Sequence, residues 1–286
     1  MSGKRVVFAG CGFLGEAAAG LFFEKGWRVL GLCATRETAS RLASRPFEVR
    51  VLDISKPFEA PADWRNPDVL IHCASSGGGD ASAYRAVYLD GLSNAISAFA
   101  PKRVIFTGST SVYDQQDGGW VDENSPTEPQ RETGKILLEA EAVALDAGGC
   151  VARLGGIYGP GRSMFLKKIR EGNAVLEEGG GRHVNLIHRD DAARALLCLA
   201  DSQMPTGIYN VVDDSPSAQR VLYGWIADFF NSPLPPEGPL DPNRRRGLND
   251  KRVSNKKLRQ LGWSPKFASF RDALPEIVEG HDSNAG

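Results

Sequence analysis

The sequence predicts a doubly wound α/β fold built on a parallel sheet, and three observations carry that prediction. Short apolar runs alternate with helix-forming segments through the first half of the chain. Most of these runs carry no polar alternation, as strands covered on both faces require. A cluster of glycines sits between the first run and the first helical segment, a place where a backbone can approach a ligand closely. The length of 286 residues allows one large domain or two lobes sharing a core.

Taken in order, residues 6–9 form the first β-rich run and 13–25 the first helix, stopped by Gly26. Residues 29–33 are the second strand and 37–44 the second helix; 49–52 and 69–74 are the third and fourth strands. A long helix over 82–99 ends before Pro101, residues 104–107 are the fifth strand, and a helix over 133–146 ends before Gly148. Residues 151–154 are the sixth strand. Each helical segment has enough Ala, Leu, Glu or Lys to favour helix, and parallel strands joined by helices cross over with right-handed sense.

Beyond Leu154 the alternation weakens. Glycine-rich loops at 155–161 and 177–181 precede another strand and helix over 184–200, a strand over 208–212 and a helix over 217–230. The Pro-rich stretch 232–242 reads as an irregular surface loop. Residues 1–155 with about 184–212 are expected to form the sheet lobe, about 156–183 with 213–279 a smaller substrate lobe, and 280–286 a frayed tail.

Composition excludes several function classes. Lys plus Arg is 34 and Asp plus Glu 35, a net charge of −1, so no whole-molecule field draws in nucleic acid or an anionic membrane. Cys11, Cys33, Cys73, Cys150 and Cys198 are odd in number and form no C-x-x-C pair, which implies neither a disulfide framework nor a zinc site. His183 and His188 point to opposite faces if they share a strand, so no metal is expected. The first residues lack the apolar length of a signal peptide or a membrane span, and the protein is expected in the cytoplasm.

Gly10-Cys11-Gly12-Phe13-Leu14-Gly15 is a G-x-G-x-x-G that follows a predicted strand and opens a predicted helix. Gly10 permits a tight turn, Gly12 lets a diphosphate approach the backbone, and Gly15 lets the helix lie close to the strand. The helix N-terminus adds amide donors and a positive dipole end. The pattern therefore points to a dinucleotide in a Rossmann-type sheet. An acid near the end of the second strand would bind a ribose 2′-hydroxyl, but this chain has Thr35 and Arg36 there. A guanidinium suits a 2′-phosphate, so NADP(H) is favoured and NAD(H) remains open.

These residues resemble the extended short-chain dehydrogenase/reductase superfamily, in its NAD-dependent epimerase/dehydratase group and especially its atypical members. The resemblance rests on the glycine loop, Asp53-Ile54, Ala74-Ser75 and the run from Thr107 through Ser109 to Tyr113. Arg153, Ile157-Tyr158-Gly159-Pro160, Asn185 to His188 with Asp190-Asp191, Tyr209-Asn210-Val211 and Lys257-Leu258 with Leu261-Gly262-Trp263 complete it. It implies that Asp53 and Ile54 flank the adenine, Ala74 and Ser75 line the cofactor path, and Gly156 and Ile157 lie near the nicotinamide. It also implies a catalytic Ser/Thr at Ser109 and a ribose-binding Lys at Lys135, from a Y-x-x-x-K motif whose tyrosine moves the proton. Here Arg131 stands in the tyrosine's place, and a guanidinium is no acid–base group near neutral pH.

Tyr88, where the family often has Asn, is a candidate replacement phenol, and Tyr113 is another. His188 with Asp190 or Asp191 is read as architectural, the acid capping a helix. Arg162 and the basic run 244–259 are candidate contacts for a phosphorylated or nucleotide-linked small-molecule substrate. The resemblance suggests a homodimer through the helices at 82–99 and 133–146. The reading is an NAD(P)-dependent epimerase/dehydratase-like enzyme or oxidoreductase; the alternative is an NADP-binding redox sensor without turnover.

Overall fold

The computed structural model describes residues 3–201, 203–240 and 249–282. Its central sheet has seven parallel strands: β1 (Arg5–Ala9), β2 (Arg28–Cys33), β3 (Glu48–Val51), β4 (Val69–His72), β5 (Val104–Ser109), β6 (Cys150–Leu154) and β7 (Gly207–Val211). They lie in the order β3-β2-β1-β4-β5-β6-β7. The order reverses between β1 and β4, which opens a crevice beyond the C-terminal ends of those two strands.

Side chains of β1 alternate between two layers. Val6 and Phe8 face a cluster with Phe22 of α1 (Phe13–Glu24), whereas Val7 and Ala9 face Trp64 and Phe99 on the other side. Both sets are fully buried, which accounts for the unbroken apolar run. The helix α2 (Arg36–Leu42) follows β2, and α5 (Glu132–Asp146) lies against β5 and β6.

The helix expected over 82–99 has three parts: α3 (Ala81–Tyr84), a π-helical turn (Arg85–Asp90) and α4 (Gly91–Phe99). The wide turn coincides with a bond from outside the helix, because His72 at the end of β4 donates from Nε2 to the Val87 carbonyl at 2.9 Å. A side chain inserted into a helical ladder is a recognised cause of such irregularity. Burial pulls the His72 pKa down to about 4, so the ring stays neutral and serves as a fixed donor.

A second apolar cluster lies apart from the sheet. Its members include Phe165 of α6 (Met164–Arg170), Tyr223 and Ile226 of α8 (Gln219–Phe230), and Phe270 and Ile277 of α9 (Phe270–Asp282). The strand expected at the start of 184–200 does not extend the central sheet. Leu186–His188 pairs in parallel with Gly156–Tyr158, and only α7 (Arg189–Leu199) returns to pack on α1.

Two expectations for the C-terminal region need correction. Within the stretch expected to be irregular, Glu237–Gly238 pairs with Leu176–Glu177, helped by a bond from the Leu176 N–H to the Pro236 carbonyl at 2.8 Å. Proline lacks a donor but keeps its acceptor. Residues 241 and 242 of that stretch lie outside the described residues. The tail expected from 280 is still helical to Asp282. Gly280 allows this, since a Cβ there would stand 2.7 Å from the Pro160 Cβ and the helix docks against that loop. Residues 283–286 lie outside the described residues. No helix among the described residues is long and apolar enough to cross a membrane.

Between the sheet and the second cluster, Asp213 is 2% exposed, and its Oδ2 has no hydrogen-bond partner among the described residues. Burial raises its pKa well above 3.8, and Asp214, Asp191 and Asp272 push the same way. A raised folded-state pKa means that the stability this group contributes is present below the unfolded value and lost as pH rises through the folded one. Asp213→Asn is therefore expected to raise the melting temperature at pH 8, with a gain that shrinks toward about pH 4. Thermal melts at both pH values check this, and a gain that does not depend on pH contradicts it.

Candidate active site

The glycine loop closes the crevice at the end of β1. Gly10 has φ +105°, and a Cβ on it would stand 2.3 Å from the Ala74 backbone nitrogen. A Cβ on Gly15 would stand 2.1 Å from the Gly10 carbonyl oxygen. These two contacts lock the loop between α1 and the end of β4. Gly12 is different: it caps α1, is exposed, and a Cβ there would meet nothing within 4 Å. Space is thus left directly over the free amides of a twelve-residue helix, where an anion is favoured.

Residues around the loop are mostly committed to packing. Leu14 is buried beneath the loop, and the Cys11 thiol is pushed up to about 12 by burial, which keeps it protonated. Phe13, half-buried at the first position of α1, carries two cations: the guanidinium carbons of Arg162 and Arg189 lie 5.0 Å and 5.2 Å from its ring centroid. Arg189 also pairs with Asp190 at 2.7 Å, whereas the Arg162 guanidinium has no polar partner among the described residues.

At the end of β2, the Thr35 hydroxyl accepts the Thr38 N–H at 3.2 Å and caps α2. Arg36 follows it, exposed and without an ion pair among the described residues. The nearby Arg41 and Arg45 are both taken by Glu16. Of these three guanidinium groups, that of Arg36 alone has no ion pair among the described residues. Beyond β3, Asp53 is exposed, and its carboxylate accepts from the Ser55 hydroxyl at 2.6 Å and backbone N–H at 3.0 Å. The hydroxyl bond above all holds its pKa down. The Ile54 side chain is buried under Gly91.

On the other side of the crevice, Ala74 abuts Gly10 and Ser75 is exposed. The Tyr88 hydroxyl donates to Ser75 Oγ at 3.3 Å, and the Tyr88 ring stands near His72 and Phe106. The π-helical turn thus brings Tyr88 to the crevice wall. At the end of β5, half-buried Ser109 accepts the Ser111 N–H at 3.1 Å. Gly156 is exposed, its N–H bound to the Asn185 carbonyl at 2.8 Å, and Ile157 is half-buried against the sheet core.

Two sequence expectations change, those for Tyr113 and for the cap of α7. Tyr113 is fully buried, its hydroxyl donating to Asn210 Oδ1 and accepting from Arg153, both at 2.9 Å, so it belongs to the core. Lys135 is exposed on α5, 3.8 Å from Glu132, one turn from Arg131 at the helix N-cap. The cap of α7 is neither Asp190 nor Asp191 but His188, whose Nδ1 accepts the Asp190 N–H at 3.3 Å. Asp191 instead receives the backbone N–H groups of Lys266 and Phe267.

The basic run is dispersed rather than one face. Arg252 covers Trp120, Lys257 covers Tyr209, Arg259 pairs with Asp214, and Lys251 is buried, while Arg244, Arg245 and Arg246 lie outside the described residues. Reading the sequence missed one cation beside the glycine loop, Arg189, which carried no motif signal and lies over the Phe13 ring.

The crevice fits a dinucleotide. Gly12 is open and exposed over the free amides of α1, as a diphosphate requires, and Arg36 and Asp53 are exposed beyond the second and third strands. Known proteins share the fold and family signature. Residues 6–211 match the model of the NAD dependent epimerase/dehydratase family. The protein YeeZ of Escherichia coli (strain K12) is 28% identical over 275 residues, covering 92% of this chain and 96% of its own. A Streptomyces 3-diazoavenalumate denitrifying reductase is 28% identical over 177 residues, covering 57% of this chain and 58% of its own. A solved structure from Methylobacillus flagellatus, assigned as an NAD-dependent epimerase/dehydratase, superposes with a TM-score of 0.80 at 26% identity, covering 99% of this chain and all of that one (100%). The chain belongs to the NAD dependent epimerase/dehydratase family.

Proposed function

We propose that the protein is an oxidoreductase or epimerase/dehydratase-like enzyme that binds a nicotinamide dinucleotide across the β1/β4 crevice and prefers NADP(H) to NAD(H). The observation that carries the proposal is the open cradle at Gly12, flanked by two glycines that admit no side chain. The bound nicotinamide would supply the hydride donor or acceptor. Arg36 would pair with the 2′-phosphate, Ala74 and Ser75 would line the path, and Ser109 would hydrogen-bond a substrate oxygen. Lys135 would bind the ribose, and Tyr88 would present a phenol hydroxyl beside Ser75 that orients the substrate. The second apolar cluster would form the small lobe that closes on a small-molecule substrate.

Titration of protein fluorescence with NADPH and NADH tests the reading. Charge-assisted hydrogen bonds contribute about 1.5–3 kcal/mol, so NADPH is expected to bind roughly ten- to a hundredfold more tightly. Arg36→Ala is expected to remove most of that difference and leave NADH affinity unchanged. Equal affinities in the wild-type protein refute the 2′-phosphate assignment.

Arg131 favours a second reading, a dinucleotide-dependent sensor without turnover. It sits at the N-cap of α5 in place of a proton-transferring tyrosine, and nucleotide binding without hydride transfer to any carbonyl substrate would support it.

A further inference from the structure

Lys251 immediately precedes a two-residue strand. Arg252–Val253 pairs in parallel with Trp120–Val121, and alternation turns Lys251, Val253 and Asn255 inward while Arg252 covers the Trp120 ring. Lys251 is 6% exposed. Its ammonium donates no hydrogen bond and forms no ion pair among the described residues, yet it is not one of the buried polar atoms sealed from solvent. A buried cation with no partner is costly, and hydrogen bonds tie the backbone of this one beside the segments that follow β5 and β6.

Its backbone fixes that location from two sides. Asp250 exchanges bonds with the loop after Ser109, its N–H to the Gln115 carbonyl at 3.1 Å and its carbonyl from the Gly118 N–H at 2.9 Å. The Lys251 carbonyl accepts from Asn185 Nδ2 at 3.0 Å, and the Asn185 carbonyl accepts the Gly156 N–H at 2.8 Å. Lys251 is therefore two hydrogen bonds from Gly156 and alongside the segment that continues from Ser109.

The charged groups around it are otherwise engaged. Asp114 is held by Asn249 Nδ2 at 2.5 Å, and Asp250 by the backbone N–H and ring Nδ1 of His183 at 2.9 Å and 2.8 Å. Arg182 pairs with Glu178, and Arg252 donates to the Gly118 carbonyl.

We propose that Lys251 is the exchangeable amine at the nicotinamide end of the crevice, giving a proton to the carbonyl oxygen of the substrate in the role that Arg131 cannot fill. The assignment rests on the dinucleotide reading above. In the reductive direction the substrate carbon takes up hydride from a reduced nicotinamide dinucleotide. The carbon–oxygen π pair then forms an O–H bond with the proton that leaves the Lys251 ammonium. The products are an alcohol, the oxidised dinucleotide and a neutral lysine amine, and the reverse reaction returns the proton to the amine. Burial pulls the Lys251 pKa down to about 8, against the opposing pull of Asp114 and Asp250, so both protonation states are populated near neutral pH.

Trace reductive methylation of the full chain with formaldehyde and cyanoborohydride, mapped by peptide mass across a pH series, tests this without a known substrate. Lys251 is expected to gain reactivity with a midpoint of about 8, below the roughly 10.4 of ordinary lysines. Saturating NADPH is expected to slow its labelling about tenfold while exposed lysines other than Lys135 are unaffected. Labelling of Lys251 that follows the ordinary lysine profile overturns the proposal, as does labelling that bound NADPH leaves unchanged. NADPH binding is followed separately by fluorescence, so a protein that does not bind it fails the dinucleotide reading instead. Lys251→Gln supplies the control, losing the labelled peptide, and the wild-type result decides the matter even if that variant does not fold.

Discussion

Gly12→Asp is expected to lower NADPH affinity at least about a hundredfold, a loss of roughly 2.7 kcal/mol, while the melting temperature stays within a few degrees of the parent. The reasons lie in one residue's surroundings. Its φ of −91° suits any L-residue, and a Cβ there meets nothing within 4 Å, so the fold has room for the side chain. Aspartate is among the preferred helix N-caps, and its carboxylate can bond the free amides of α1. That carboxylate then occupies the anion's place and repels the diphosphate. Gly15→Ala is the contrasting variant, because its Cβ would be driven to 2.1 Å from the Gly10 carbonyl oxygen. It should lose stability and binding together. Calorimetric titration beside a thermal melt separates the two outcomes, and Gly12→Asp binding NADPH like the parent would remove the basis for placing the cofactor.

The parts of this site that could be read in the sequence are those set by local pattern. A continuous apolar run followed within a few residues by three glycines and a helix former is complete in eleven positions, Arg5 through Gly15, and each requirement is met by near neighbours. Tyr113 shows why other parts were not legible. As sequence it is a hydroxyl four residues past Ser109, but its burial is decided by Arg153 and Asn210, 40 and 97 residues away along the chain. The π-helical turn is similar, since Arg85–Asp90 has no propensity signature and its widening accompanies a bond from His72 on another element. Lys251 is an intermediate case. In the sequence it is one of eight cations between Arg244 and Arg259, and a segment so dense in Lys and Arg reads as a solvated surface until strand pairing shows which side is covered.

The second large effect is expected at Arg153, which joins helix to sheet beneath the site. Its guanidinium meets the Glu141 carboxylate in two bonds, Nε to Oε1 at 2.9 Å and Nη2 to Oε2 at 2.6 Å, and donates from Nη1 to the Tyr113 hydroxyl at 2.9 Å. Both charged side chains are 3% exposed. Removing one partner of such a pair leaves an uncompensated buried charge, a loss of about 3–5 kcal/mol, so Arg153→Ala is expected to unfold at correspondingly lower denaturant. The pair itself is not expected to contribute that much. Replacing both charges with apolar groups of similar size, Arg153→Met with Glu141→Leu, should recover much of the loss, because desolvating the ions offsets most of their attraction. Urea melts of the single and double variants measure the difference. Since Glu141 lies on the helix that carries Arg131 and Lys135, the double variant also asks what the charges do besides hold the core. If α5 keeps its seat by shape alone, NADPH affinity returns with stability; if the bidentate geometry sets the helix register over the crevice, stability returns and affinity does not.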